Sequence, residues 1–204
     1  MEKKSSIRKP KQARGKNTKE KIIKTAIKVF SEYGYYQTTT IELAKAANVS
    51  IGCFYSYFKD KDSIFLEILN RYDEKFIKMT NEMIKSENLY INNPKGWIRT
   101  LIQNLIKMHQ ELKKLNSELN VLYYSHPDVA KILDTQQEEA RKISLKYFDI
   151  IQDDLKVTDI DAASIIAYDF VDAIVHQVIY GKSNLDKNRI IEAGVAAIYK
   201  YLIG

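Results

Sequence analysis

Apolar residues recur every three to four positions through most of this 204-residue chain, and sustained alternation with hairpin turns is not found. That spacing predicts amphipathic helices rather than strands. Ile22, Ile23, Ala26, Ile27 and Phe30 mark one face of a first helix over 18–33. Asn17 and Glu20 have capping-box spacing at its start, and Gly34 is a suitable left-handed stop. Thr39 and Glu42 repeat the box before a second helix that offers Ile41, Leu43, Ala44 and Ala47 for packing. Asn48-Val49-Ser50 breaks that helix, because Asn tolerates the left-handed backbone a tight turn needs. Ser50 can cap a third helix over 51–57. Phe54 and Phe58, four apart, face inward there, which turns Gly52, Cys53, Ser56 and Tyr57 outward with Tyr55 at the edge. Asp60 can cap a long fourth helix reaching residue 85.

Further along, Asn92-Asn93-Pro94 opens a fifth helix, with Trp97, Leu101, Leu105 and Met108 as its apolar stripe. A sixth helix is expected over 112–124, a break at His126-Pro127, and a seventh helix over 127–154. Two last helices, over 159–180 and 187–203, flank Gly181 to Asn184. Only 3 Pro and 7 Gly interrupt the chain, so long helices with few breaks are expected. The predicted fold is all-α with about nine helices. A short helix, a tight turn and an uncharged, aromatic second helix, behind a basic flank and before a long helix, have the layout of a helix-turn-helix DNA reader. The expected organisation is a basic flexible arm over 1–17, a three-helix DNA-binding domain over 18–60, and a helical ligand-binding and dimerisation domain over 61–204, joined by the fourth helix.

The net charge of +6 is localised: residues 1–17 carry seven basic side chains against Glu2, and the rest of the chain sums to zero. Such an arm suits phosphate or minor-groove contacts, or serves as a solubilising tail. The lone Cys53 excludes an internal disulfide and fits a reducing cytoplasm. No apolar stretch follows the basic N-terminus, so it does not read as a secretory signal. Asp161, Asp169 and Asp172 break the apolar segment over 159–180, which reads as a buried helix rather than a membrane span.

The string Ala44-x-x-Ala47-Asn48-Val49-Ser50-x-Gly52-x-Phe54-Tyr55-x-Tyr57-Phe58-x-x-Lys61 resembles the TetR family of bacterial transcriptional regulators. The sharp match covers about a tenth of the chain, and the helical layout extends it. The resemblance implies a cytoplasmic homodimer on double-stranded DNA and a C-terminal domain whose small-molecule effector releases the DNA. It casts Thr39 and Thr40 as DNA-backbone anchors and Ser50, Ile51, Gly52 and Cys53 as the groove-facing start of the reader. Tyr55 and Tyr57 become phosphate or base-edge contacts, and Lys61 a phosphate contact. These roles agree with the affinity of hydroxyls and helix N-termini for phosphate, and of apolar groups such as Ile51 for thymine methyls. Asn48 stands where the family usually has Gly, and Cys53 where a small hydroxyl or Ala is commoner. The reader also lacks Arg, Asn and Gln, so specificity is expected from methyl contacts, DNA shape and the arm.

Trp97, Met108, His109, Leu119, Tyr123, Tyr124, Phe148, Tyr168, Phe170 and His176 are candidates for lining an apolar effector pocket, of which about a third are expected to touch ligand and the rest to be ordinary core. His109 and His176 are its candidate polar contacts, since a neutral imidazole both donates and accepts. Asp169, Asp172 and His176 share one helical face. A hydrogen-bonded Asp172–His176 pair near a subunit interface is favoured over a metal site, because the ligand set is incomplete. Ala163, Ala167, Ala193, Gly194 and Ala197 allow close helix approach, between subunits or within one, and the family resemblance favours the subunit interface. Cys53 is read as a small side chain rather than a redox switch, having no adjacent His. No cofactor and no metal are expected.

The leading expectation is a ligand-released repressor. A constitutive or weakly specific DNA binder whose C-terminal domain only dimerises is the alternative. An all-α enzyme or metal protein is remote, because 3 His, one Cys and no phosphate-binding Gly loop or His-Glu-x-x-His helix speak for it.

Overall fold

The computed structural model describes residues 13–85 and 93–204, which hold ten α-helices and no strand. They are α1 (Ala13–Tyr33), α2 (Thr40–Ala46), α3 (Ile51–Tyr57), α4 (Lys61–Ile84), α5 (Pro94–Glu111), α6 (Lys113–Asn116), α7 (Leu119–Ser125), α8 (Pro127–Ile150), α9 (Ile160–Tyr180) and α10 (Lys187–Leu202). A 3-10 turn, Gln152–Asp154, follows α8. The all-α class is as the periodicity predicts, and most helix ends fall where the sequence signals stand. Asp159 caps α9 by accepting from the Ala162 N–H at 3.0 Å. Asp186 caps α10 from the amides of Asn188 and Arg189.

Two boundaries differ from expectation. Helix α1 already includes residues 13–17, so the arm expected over 1–17 is helical in its last part; residues 1–12 lie outside the described residues. The Asn17–Glu20 box does not form, because the helix already runs through Asn17, and Glu20 instead accepts two hydrogen bonds from Arg71, at 2.9 and 2.8 Å, across 51 residues of sequence. The expected sixth helix is divided into α6 and α7 by a turn at Ser117–Glu118. That turn lets the Glu118 carboxylate reach the Tyr35 N–H at 2.6 Å, a contact no local pattern encodes.

The described residues form two compact units, one of residues 13–72 and 112–132, the other of 73–85, 93–111 and 133–204. This division differs from the expected boundary at residue 60, since the first unit takes in the start of α4 and all of α6 and α7. In it α1 packs on α2 and α6, and α2 on α3. Its core is rich in rings: Phe30, Phe54, Phe58 and Phe65 are buried, with Phe30 and Phe65 edge to face at 6.0 Å. In the second unit α5, α9 and α10 pack on one another, with Met83, Tyr147, Phe148 and Ile151 completing the core. Helix α9 has the length and hydropathy of a membrane span, yet its Ala163, Ala167, Val175, Val178 and Ile179 are core positions of this unit.

Candidate nucleic-acid interface

The reader is built by local chemistry. Gly34 ends α1 with φ 81°, a conformation glycine adopts without penalty. Thr39 and Glu42 form the expected capping box: the Glu42 N–H donates to Thr39 Oγ1 at 3.3 Å, and the Thr39 N–H to Glu42 Oε2 at 2.8 Å. Asn48 takes φ 49° and turns the chain. Ser50 Oγ then accepts from the Cys53 N–H at 3.1 Å and starts α3. Asp60 and Ser63 cap α4 reciprocally, at 2.8 and 3.2 Å.

Phe54 and Phe58 are buried, which fixes the roll of α3 and leaves Ile51, Gly52 and Tyr55 exposed. A Cβ at Gly52 would meet nothing within 4 Å, so no packing inside the chain requires a glycine there. Tyr55 Oη lies 3.1 Å from Thr40 Oγ1, joining the outer edges of α3 and α2. Thr39 and Ser50 are exposed, Thr40 and Cys53 half-buried. Seven of the nine residues expected at the DNA surface are thus reachable from solvent on this face or at the caps beside it.

Two are placed otherwise. Tyr57 is only 7 % exposed, so the expectation that it points outward is corrected. Positions 54, 57 and 58 are i, i+3 and i+4, and in so short a helix all three belong to the inward face. Lys61 is half-buried and committed within the unit. Its Nζ donates to the Tyr35 carbonyl at 2.8 Å and lies 3.9 Å from the centroid of the Tyr35 ring. Burial lowers its pKa, opposed by the charges of Asp62 and Glu118. It therefore steadies the turn before α2 rather than standing free for a phosphate.

Tyr35 is the hub the sequence reading missed. Its N–H donates to Glu118, its hydroxyl to Asp62, and the same hydroxyl lies 3.4 Å from His126 Nε2. Its ring packs on Phe65 at 5.0 Å and edge to face on His126 at 5.5 Å. Burial first, and then the Asp62 hydrogen bond, push its phenol well above the ordinary range. A Cβ on Gly34 would overlap the Glu118 carboxylate, so the clamp closes over a glycine. The α1–α2 turn is held by both the start of α4 and the 118–126 segment. The Gly34-Tyr35 pair just before the Thr39 cap was the available signal.

The candidate effector residues divide between the units. Leu119 and Tyr123 are half-buried on α7 in the first. In the second, Trp97 stacks on Tyr147, centroids 3.9 Å apart and planes 5° from parallel, and Phe148 and Met108 are buried. His109 is half-buried; burial lowers its pKa, with Asp172 opposing and His176 adding to the shift. Tyr168 is pushed up to about 12, by burial and then by Asp172 and Asp169. Asp172 and His176 are exposed on α9. Tyr124 and Phe170 are exposed too. Among the described residues no group of three or more His, Cys, Asp or Glu could hold a metal ion.

Of the small residues expected at a subunit interface, Ala163, Ala167 and Gly194 are buried inside the second unit. A Cβ on Gly194 would overlap the Ile174 side chain, so this glycine serves α9–α10 packing within the chain. Ala193 and Ala197 are exposed on α10, and Ile165, Ile166 and Phe170 are exposed on α9.

Comparison with known proteins decides the family. Residues 22–68 match the bacterial regulatory proteins of the tetR family, and residues 77–202 match the tetracyclin repressor-like C-terminal domain. The chain belongs to the TetR family of bacterial transcriptional regulators. It is 29 % identical to the HTH-type transcriptional regulator QacR of Staphylococcus aureus over 169 residues, 78 % of this chain and 85 % of QacR. It is 42 % identical to the HTH-type regulator YuxN of Bacillus subtilis over 72 residues, 34 % of this chain but only a quarter (25 %) of YuxN. The fold matches that of reduced Escherichia coli NemR with a TM-score of 0.73 at 18 % identity, over 91 % of this chain and 97 % of NemR. This TetR-family chain is accordingly a DNA-binding helix-turn-helix transcriptional regulator and not an enzyme.

Proposed function

We propose that this regulator is a repressor that binds double-stranded DNA as a homodimer in the cytoplasm and leaves it when a small apolar or aromatic effector binds. The observation that carries the reading is the outward face of α3, where Ile51, Gly52 and Tyr55 are exposed on a helix pinned by Phe54 and Phe58. A glycine with open space above it allows close approach of a DNA backbone, and Ile51 suits a thymine methyl. Thr39, Thr40, Ser50 and Cys53 flank this face as candidate phosphate and groove contacts. Two reader helices in a dimer would enter major grooves about 34–36 Å apart, or a multiple of that. The exposed Ile165, Ile166 and Phe170, with Ala193 and Ala197, supply the candidate dimer face. Within the second unit, Trp97, Met108, His109, Phe148, Tyr168 and His176 supply the candidate effector contacts.

Release would be a population shift, with DNA selecting one spacing of the two readers and effector another. The test is fluorescence anisotropy of labelled duplex from the gene's own upstream region, followed by a thermal-shift screen of small molecules. Tight, sequence-preferring binding, weakened by a compound that raises Tm, is expected. Equal binding to scrambled duplex would favour a weakly specific DNA binder. Ligand-insensitive binding would remove the effector from the mechanism.

A further inference from the structure

Helix α1 carries a run of cations that the reader does not use. Arg14, Lys21, Lys24 and Lys28 are exposed, and Asn17 stands between the first two. At about 100° per residue, these five positions fall within an arc of about 80°. The arc lies opposite Ile22, Ile23, Ala26 and Phe30, which are fully buried. Among the described residues, none of these four cations takes part in an ion pair. Off the arc, Lys19 pairs with Glu67 at 3.1 Å and Glu20 is drawn off to Arg71 at 2.8 Å, while Lys16 is exposed like the four. No acid stands on the arc before Glu32. Asn17, Glu20, Lys21, Lys24, Thr25 and Lys28 line a shallow depression of about 350 Å³, in which the one acid, Glu20, is paired with Arg71.

We propose that the solvent face of α1 is a second duplex-DNA surface, which holds backbone phosphates outside the half-site read by α3. This rests on the DNA-binding reading above and extends it. From Arg14 to Lys28 the run is about 21 Å long at 1.5 Å per residue. Along the axis of B-DNA that length covers about six base pairs, at 3.4 Å of rise each. Four unpaired cations on one face, with amide and hydroxyl groups beside them, suit the charge of a phosphate backbone. Three of the four cations are lysines, which meet phosphate as point charges, so the surface is expected to add affinity and footprint length more than sequence preference.

The experiment compares two duplexes. Hydroxyl-radical footprinting on the gene's upstream region defines a minimal operator, and the second duplex extends it by about one helical turn, roughly 10 bp, on each side. Affinity is measured against salt for the wild type, K21Q/K24Q/K28Q and K21R/K24R/K28R. The wild type should bind the extended duplex more tightly and with a steeper salt slope. The glutamine variant should lose about 2.7 of that slope, at about 0.9 per phosphate contact, on the extended duplex only. The arginine variant should keep it. Equal wild-type slopes on the two duplexes, or equal weakening of the glutamine variant on both, would overturn the proposal. If the glutamine variant fails to fold by circular dichroism, the wild-type length dependence decides alone. Wild-type protein that binds no upstream fragment even at low salt would sink the transcriptional reading itself, and the α1 surface with it.

Discussion

The first unit adds six buried aromatic rings and a polar clamp to its aliphatic core, whereas the second buries mainly aliphatic side chains around the stacked Trp97–Tyr147 pair. In the first, Tyr35 brings two carboxylates, an ammonium and an imidazole to one turn, and the outer face of α3 stays exposed above Phe54 and Phe58. In the second, Ile102, Val175, Val178, Val195 and Ile198 fill the space among α5, α9 and α10, and Gly194 lets two of those helices approach. Apolar packing is non-directional and graded in area, while a hydrogen-bonded clamp is directional and is lost when one partner goes. Changes in the second unit should therefore be felt as stability, and changes at the clamp or reader as DNA affinity.

The largest effect should come from Trp97→Ala. The ring is buried and stacked, so its loss should cost about 3–5 kcal/mol in urea unfolding. Hydrogen exchange should quicken in α5, α9 and α10 and stay unchanged in α1 to α3. Equal acceleration in both units would break the comparison. Gly194→Val comes next, at about 1–3 kcal/mol, because its branches must enter space held by Ile174. If Gly194→Val instead melts like the wild type but loses dimer in sedimentation, the small-residue positions belong between subunits after all.

That outcome bears on what was legible in the sequence. The reader was legible because its signals are local: Thr39 and Glu42, Asn48, Ser50 and Asp60 each act within a few residues of themselves. Tyr57 was misplaced because the pair at i and i+4 was used without the residue at i+3. Glu20 and Lys61 were misplaced for a different reason. Their partners, Arg71 and Tyr35, lie 51 and 26 residues away, beyond the reach of any cap or periodicity. Ala163, Ala167 and Gly194 show a third limit. A small residue on a helix announces close approach, but the same pattern serves a neighbour in the chain and one in another chain.

Smaller, and in the first unit, is Glu118→Ala. It removes the acceptor of the Tyr35 N–H and a charge that favours the Lys61 ammonium. Hydrogen bonds to charged groups contribute about 1.5–3 kcal/mol, and partial exposure brings the expected loss here to about 1–2 kcal/mol. Operator affinity should fall with it, since the turn before α2 loses one of its ties, while effector-induced stabilisation of the second unit should persist. Unchanged operator affinity would mean that the clamp serves folding alone.

The smallest change in stability, and the sharpest separation of the two quantities, is expected from Gly52→Ala. The position is inside α3, its backbone angles are ordinary for a helix, and the added methyl meets nothing. Replacing glycine where the fold tolerates a side chain restricts the unfolded chain and stabilises by about 0.4–1 kcal/mol. The variant should therefore melt slightly later than the wild type. If α3 meets DNA through this face, the same methyl enters the space the DNA backbone needs, and operator binding should weaken although the protein is more stable. A variant that is more stable and binds as tightly as the wild type would place the DNA contact elsewhere on the first unit. A variant that loses both would mean that Gly52 supports a conformation of α3 other than the one described. Only opposite signs for stability and affinity fit a reader helix whose outer face is kept open for a partner.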